Sequence, residues 1–108
     1  MTVGMARLTL FISASHSLKD KRMVLRRLKA LVRDKFNAAI AEVGDNDLWQ
    51  RAALGVSVVG HERKFTETML DEVVRFIEAH AEVTHVDREL QTFSQAFGLG
   101  VGAEHWQG

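Results

Sequence analysis

The stretch VGMARLTLFISASHSLKDKRMVLRRLKALVRDKF, residues 3–36, decides the fold because its hydrophobic period changes partway along. Over residues 3–12 the pattern alternates, which predicts a strand with one fully apolar and one mixed face. Residues 13–17 are small and polar, and form a loop. From the expected N-cap Ser17, apolar residues recur at helical spacing to about Phe36. The chain therefore opens with a strand, a short loop and an amphipathic helix.

The spacing assigns a face to each side chain of this strand and helix. One face of the strand carries Ala6, Leu8, Leu10 and Ile12, and the other carries Val3, Met5, Arg7, Thr9 and Phe11. The apolar arc of the helix contains Val24, Leu25, Leu28, Leu31, Val32 and Phe36. Lys21 and Lys35 fall inside this arc near the helix ends, where we expect their long side chains to reach water.

Three further strands and a second helix follow. The strands are predicted over residues 37–43, 50–59 and 83–93, with a turn at 44–47, and the helix over 62–80. We expect the helix to bury Phe65, Met69, Leu70, Val73, Val74 and Ile77. The βαββαβ order with right-handed crossovers predicts a four-stranded antiparallel sheet with both helices on one face, a ferredoxin-like sandwich.

Length and composition limit the classes of protein to which the chain can belong. The 108 residues predict one domain, residues 1–94, and a flexible Gly-rich tail, residues 95–108. The absence of Cys excludes disulfides, thiolate metal sites and a Cys nucleophile. No signal-peptide pattern and no apolar run of about 20 residues is present, so we expect a cytoplasmic protein with no membrane partner.

Charge is distributed unevenly along the neutral chain. Residues 1–36 carry nine Lys/Arg and two Asp, a net of +7, and the remaining residues carry −7. Five basic residues on the first helix fall within an arc of about 80°. We call this set the basic stripe: Lys19, Arg22, Arg26, Lys29 and Arg33. It is interpreted either as a row of phosphate contacts or as a solvated face that keeps a small protein soluble.

Two other segments allow both a functional and a structural interpretation. The loop 13–17 leads into a helix N-terminus, which could hold an anion, but a simple Ser cap with His16 fixing the turn is favoured. Trp49 could stack on a base, with Arg51 at a phosphate, or could plug the end of the sheet while Asp47 pairs with Arg51. Packing of Trp49 is the favoured reading.

Other chemistries find little support in the sequence. The five histidines lack metal-ligand spacing, no motif frames a nucleophile, and no cofactor is expected. The mixed face of the first strand lacks the paired aromatics of RNA-recognition motifs. That open face is therefore expected to pair with a second copy at least as readily as with RNA.

Two long segments resemble a known family. His16–Arg22 and Ala41–Val43, followed by Asp47–Ala52 and Leu54–Val56, are similar to the YlxP-like family of small bacterial proteins, a domain of unknown function. The resemblance covers roughly residues 1–93. It implies a ferredoxin-like fold and a gene that often lies near those for translation initiation and ribosome maturation factors. It supplies no catalytic residues.

These observations lead to one main hypothesis and two alternatives. We expect a non-enzymatic protein that binds RNA or a ribosomal subunit through the basic stripe, with Arg27 on its flank. His16, Trp49 and Arg51 are expected as accessory contacts. The first alternative is a homodimer or higher homo-oligomer that binds a small molecule or acts as a regulatory module. The second is an enzyme that uses the loop before the first helix as acylphosphatases do.

Overall fold

The computed structural model describes residues 1–95 of the chain, and six regular elements occur within them. They are β1 (Thr2–Phe11), α1 (Leu18–Lys35), β2 (Ala39–Gly44), β3 (Arg51–Gly60), α2 (Arg63–Glu78) and β4 (His85–Ser94). The sheet order is β2-β3-β1-β4, and every neighbouring pair is antiparallel. The predicted element order and ferredoxin-like architecture are confirmed, with element boundaries within about two residues of those expected.

Local signals explain how α1 begins. The Ser17 side chain accepts a hydrogen bond from the Asp20 backbone N–H at 3.1 Å. In return, the Asp20 carboxylate accepts from the His16 backbone N–H at 3.2 Å. This reciprocal pairing satisfies two backbone donors at the start of the helix and confirms Ser17 as the N-cap.

The core lies between one face of the sheet and both helices. β1 and β3 are the central strands, and Leu8, Leu10 and Leu54 on them are fully buried. The helices contribute Val24, Leu25, Leu28 and Val32 from α1 and Leu70, Val73, Val74 and Ile77 from α2. Neither α1 nor α2 covers the opposite sheet face, which we call the open face.

Two predicted core residues are exposed instead. Leu31 is 43% exposed because it sits at the border of the α1 arc, about 80° from its centre. Phe65 is 63% exposed because the next residue, Thr66, takes the buried position at the start of α2. The Thr66 hydroxyl donates to the Glu62 carbonyl at 2.8 Å, so its polar atom is satisfied inside the core. The predicted tail, apart from Gln95, lies outside the described residues.

Candidate nucleic-acid interface

The basic stripe lies on the surface of α1. Four of its five members are exposed, and Lys29 is half-buried. Arg33 donates to the Ile40 carbonyl on β2 at 3.0 Å. Within residues 1–95, no Asp or Glu forms an ion pair with any stripe member. Lys19, Arg22, Arg26 and Lys29 therefore carry positive charge that no described carboxylate offsets.

The arginines of α2 and β4 contrast with the stripe. Arg63 and Arg75 on α2 pair with Glu67 and Asp71, and Arg88 pairs with Glu78. These acids are three of the twelve Asp and Glu residues that follow residue 36. The sequence asymmetry thus becomes a surface asymmetry, since the α2 arginines are locally neutralised and the stripe is not.

Arg27 does not belong with the stripe. It forms an ion pair with Glu82 at 3.3 Å, on the opposite flank of α1. Helical geometry places it about 80–160° from the stripe members. It was expected as a flanking phosphate contact, and in the structure its charge is already shared with a carboxylate.

The stripe flank of α1 faces the β2 edge of the sheet. The bond from Arg33 to Ile40 fixes the C-terminal end of this flank against β2. Near the N-terminal end, the Lys21 ammonium contacts the backbone just after β2. Since β2 is an edge strand, the stripe runs along one side of the molecule beside an unpaired sheet edge.

Lys21 contradicts the expectation that its side chain reaches water. It is only 1% exposed, and its ammonium donates to the carbonyls of Asp45 at 2.7 Å and Arg51 at 3.3 Å. Glu42 lies 3.5 Å away and supplies the counter-charge. The segment that follows β2 curls back over the helix, so its carbonyls reach Lys21 before water does. From the sequence, Lys21 was placed inside the apolar arc near a helix end, and its side chain was expected to reach water. A lysine is fully buried only where partners satisfy its charge, and the spacing of one helix does not reveal those partners.

The β1–α1 loop and the β2–β3 loop are joined. The Gln50 side-chain amide donates to the carbonyls of Ser13 and Ser15 at 3.0 and 3.1 Å. The Ile12 backbone N–H donates to the Gln50 carbonyl at 2.8 Å. The loop before α1 is therefore a braced turn.

Trp49 overturns the favoured packing interpretation. Its side chain is 55% exposed, because the loop anchored by Lys21 and Gln50 carries it past the end of the sheet. Arg51 pairs with Asp45, at 3.1 Å, and not with Asp47 as expected. His16, Trp49 and Arg51, the three predicted accessory residues, line one groove of about 760 Å³, which we call the Trp groove.

The open face presents a different chemistry. Its exposed apolar side chains are Met5, Val43, Val59 and Phe93. A shallow groove of about 600 Å³ crosses it, with Gly55 in its lining and Arg7 and Glu89 opposite each other in the β1–β4 register. The Phe11 and His85 rings contact each other at one end of this face, with their centroids 5.5 Å apart and their planes tilted by 42°.

Residues 1–95 contain neither a metal-binding cluster nor a membrane-crossing helix. That stretch holds no group of three or more His, Cys, Asp or Glu side chains placed to bind a metal ion. Neither of its helices combines the length and the apolar character needed to cross a membrane.

Fold and surface together define a small ferredoxin-like protein with one cationic helix flank. The chain belongs to the family described as "Protein of unknown function (DUF503)", which matches residues 3–90. It is 40% identical to "Uncharacterized protein YlxP" of Bacillus subtilis (strain 168) over 81 residues, covering 75% of this chain and 88% of that protein. The YlxP-like resemblance is therefore confirmed.

A solved structure supports the fold alone. A de novo designed protein with a ferredoxin fold, determined by solution NMR, superposes with a TM-score of 0.54. The match covers 92% of this chain and 94% of the designed chain, at 14% identity. Agreement at so low an identity reflects a shared arrangement of strands and helices.

Proposed function

We propose that this protein binds RNA through the basic stripe, in a cytoplasmic setting and without catalysing a reaction. One observation carries the proposal: Lys19, Arg22, Arg26 and Lys29 have no carboxylate partner among residues 1–95, whereas the arginines of α2 are paired. A row of unpaired cations gains free energy on meeting phosphates, because condensed counterions are released. A ribosomal subunit is the proposed source of that RNA, on the gene context that the family resemblance implies.

The stripe sets a scale for the salt dependence. Each phosphate neutralised on a single strand contributes about −0.7 to the slope of log K against log salt. Four unpaired cations then give a slope of about −3, or about a 50-fold loss of affinity between 50 and 200 mM salt. A slope of this size would distinguish binding through several phosphate contacts from weak, nonspecific attraction to this protein, whose net charge is zero.

The test is a salt titration of binding to ribosomal RNA and to isolated 30S subunits. The variant Arg22→Glu/Arg26→Glu reverses two exposed stripe charges and should abolish binding while its circular dichroism spectrum stays unchanged. The matched control is Arg63→Glu/Arg75→Glu on α2, which changes the net charge equally at exposed positions. Since exposed ion pairs are each worth about 0–1 kcal/mol, the control should fold and bind as the wild type does.

Two results would count against the proposal. Equal loss in both double variants would indicate a response to net charge, with no role for the stripe. Unchanged affinity in Arg22→Glu/Arg26→Glu would remove the stripe as the interface.

The non-enzymatic part of the proposal is supported by the arrangement of polar groups. The His85 ring lies 2.9 Å from Asp87, but both side chains are exposed at the sheet edge. Among the described residues, no Ser or Thr hydroxyl is hydrogen-bonded to that ring. Cleavage of a model acyl phosphate by the purified protein would contradict this part.

The open face favours a second candidate function, that of a homo-oligomer that binds a small molecule or acts as a regulatory module. Four strands of this length cover about 600 Å² per copy, so two faces would bury about 1,200 Å², the lower limit of stable interfaces. Met5, Val59 and Phe93 supply apolar contact there, and Arg7 beside Glu89 makes the face self-complementary in charge. The groove of about 600 Å³ falls in the size range of ligand pockets.

Sedimentation and thermal unfolding test this candidate. Val59→Lys should convert a dimer to a monomer, whereas Phe65→Lys, at an equally exposed position on α2, should not. A metabolite that raises the melting temperature, where RNA does not, would favour this candidate over RNA binding. A wild-type monomer at high micromolar concentration would contradict it.

A further inference from the structure

The β2–β3 loop is built around a buried cation. The Lys21 ammonium holds the Asp45 and Arg51 carbonyls, at the two ends of the loop, and lies 3.5 Å from the Asn46 carbonyl. Asp45 adopts a left-handed backbone conformation, with φ of 57°, and its carboxylate is held by Arg51. Both ends of the loop are thus fixed from inside the protein.

The remaining part of the loop is braced from the side. The Gln50 amide bridges to the Ser13 and Ser15 carbonyls, and Ser15 is only 2% exposed. These contacts leave the Trp49 indole facing outward, at 55% exposure, although burial of an indole ring usually contributes more to stability than its exposure. With the neighbouring exposed Leu48 it forms an apolar patch, and contiguous exposed apolar patches are found at binding sites.

The Trp groove and the N-terminal end of the basic stripe lie at the same end of the sheet, because His16 in the groove lining directly precedes Ser17, the N-cap of α1. Lys21 joins α1 to the loop near the N-terminal end of the stripe, and Arg33 joins α1 to β2 near the other end. The stripe spans about 21 Å along the helix axis. An RNA strand that follows these cations toward the start of α1 arrives at the end of the sheet where Trp49 lies.

The groove offers aromatic and apolar side chains for stacking, and it carries little positive charge. Arg51 is neutralised by Asp45, and Asp47 adds an exposed carboxylate, so phosphate is not the expected occupant. The Trp49 and His16 rings and the Leu48 side chain line the groove instead. Aromatic faces of this kind bind nucleobases by stacking, and only an unpaired base exposes its face.

We propose that the Trp groove binds an unpaired nucleobase by stacking on Trp49, so that the protein selects single-stranded over duplex RNA. The inference rests on the proposed function, because the stripe supplies the phosphate contacts on which the strand lies. It adds a substrate class and names Trp49 as the residue that sets it. An apolar peptide in the same groove is the competing occupant.

The test compares a ten-nucleotide single-stranded RNA with a ten-base-pair duplex. Trp106, the only other tryptophan, is replaced by Phe so that fluorescence reports on Trp49 in the full chain. We expect the single strand to quench Trp49 emission and to bind about tenfold more weakly to Trp49→Ala. Trp49→Phe, which keeps a stacking ring, should retain most of the affinity.

A control and the salt dependence separate this inference from the proposed function. Phe65→Ala removes an equally exposed aromatic ring from α2 and should leave RNA affinity unchanged. Trp49→Ala should leave the salt slope unchanged, because stacking involves no phosphate. If neither RNA binds at low salt, the proposed function itself has failed.

The inference alone is overturned by a different result. In that case RNA still binds with a steep, stripe-dependent salt slope, but Trp49→Ala binds the single strand as tightly as the wild type. Duplex RNA binding as tightly as the single strand would overturn it equally. Either outcome would direct attention to a peptide as the occupant of the groove.

Discussion

Replacing Lys21 with Met tests whether the buried ammonium stabilises the fold. Methionine keeps the length and apolar stem of the side chain but removes the donor to the Asp45 and Arg51 carbonyls. It also leaves Glu42 without its counter-charge. Breaking a fully buried pair costs about 3–5 kcal/mol, and stranded buried acceptors cost about 1–3 kcal/mol each.

The expected magnitude is lower than the sum of these values. The Glu42 side chain is 25% exposed as a whole, so its carboxylate is not fully desolvated, although the Oε2 atom that faces Lys21 is buried and has no hydrogen-bond partner among the described residues. We therefore expect Lys21→Met to lower the free energy of unfolding by about 2–4 kcal/mol. A domain of this size has a total stability of about 5–15 kcal/mol, so the variant should still fold.

Urea unfolding followed by far-ultraviolet circular dichroism measures this loss, with the m-value expected to stay constant. Lys35→Met is the matched control, because Lys35 is exposed and lies over the Phe36 and Phe76 rings. That control should lose about 1 kcal/mol or less. The reasoning is refuted if Lys21→Met lies within about 0.5 kcal/mol of the wild type, the range of ordinary surface substitutions.

Three further predictions concern the elements that position the interface. Ser17→Ala should destabilise the protein by about 1 kcal/mol in urea unfolding, and Ser17→Gly should cost less. Leu28→Ala should cost about 2–5 kcal/mol, whereas Leu31→Ala should cost well under half as much because that side chain is 43% exposed. Gly55→Ala would place a Cβ 2.9 Å from a Val43 methyl, so its loss of stability should shrink when Val43→Ala is added, as a double-mutant cycle in urea would show.

The fold could be predicted because its signals are local and repeated. Alternation in β1 and helical spacing in α1 each involve many residues, so no single exception changes the element. The Ser17 cap is also a local signal, and the structure confirms it. Exceptions arise at the borders of the arcs, where Leu31 and Phe65 show that spacing alone does not say which neighbour covers a side chain.

The part of the candidate interface that lies on a single helix could be predicted from the sequence, and the part built from several loops could not. The stripe is a property of one helix, so its spacing is visible in the sequence. The Trp groove depends on contacts between residues 24 to 37 positions apart, from Lys21 to Asp45 and from Gln50 to Ser13. Such contacts follow from the packing of loops at the sheet end, which no hydrophobic period encodes. The exposure of Trp49 was therefore predicted wrongly.

The same helix uses its cations in two physically different ways, and burial decides between them. Lys21 points into the arc, where backbone carbonyls replace water, and it holds the loop that carries Trp49. Arg22, one residue later and about 100° around the helix, meets solvent with no described carboxylate beside it. A charge reversal at Arg22 should therefore change binding without changing stability, whereas loss of Lys21 should lower the stability of the fold first. The proposed RNA contacts of this helix can therefore be assigned from a variant only after its effect on stability has been separated from its effect on binding.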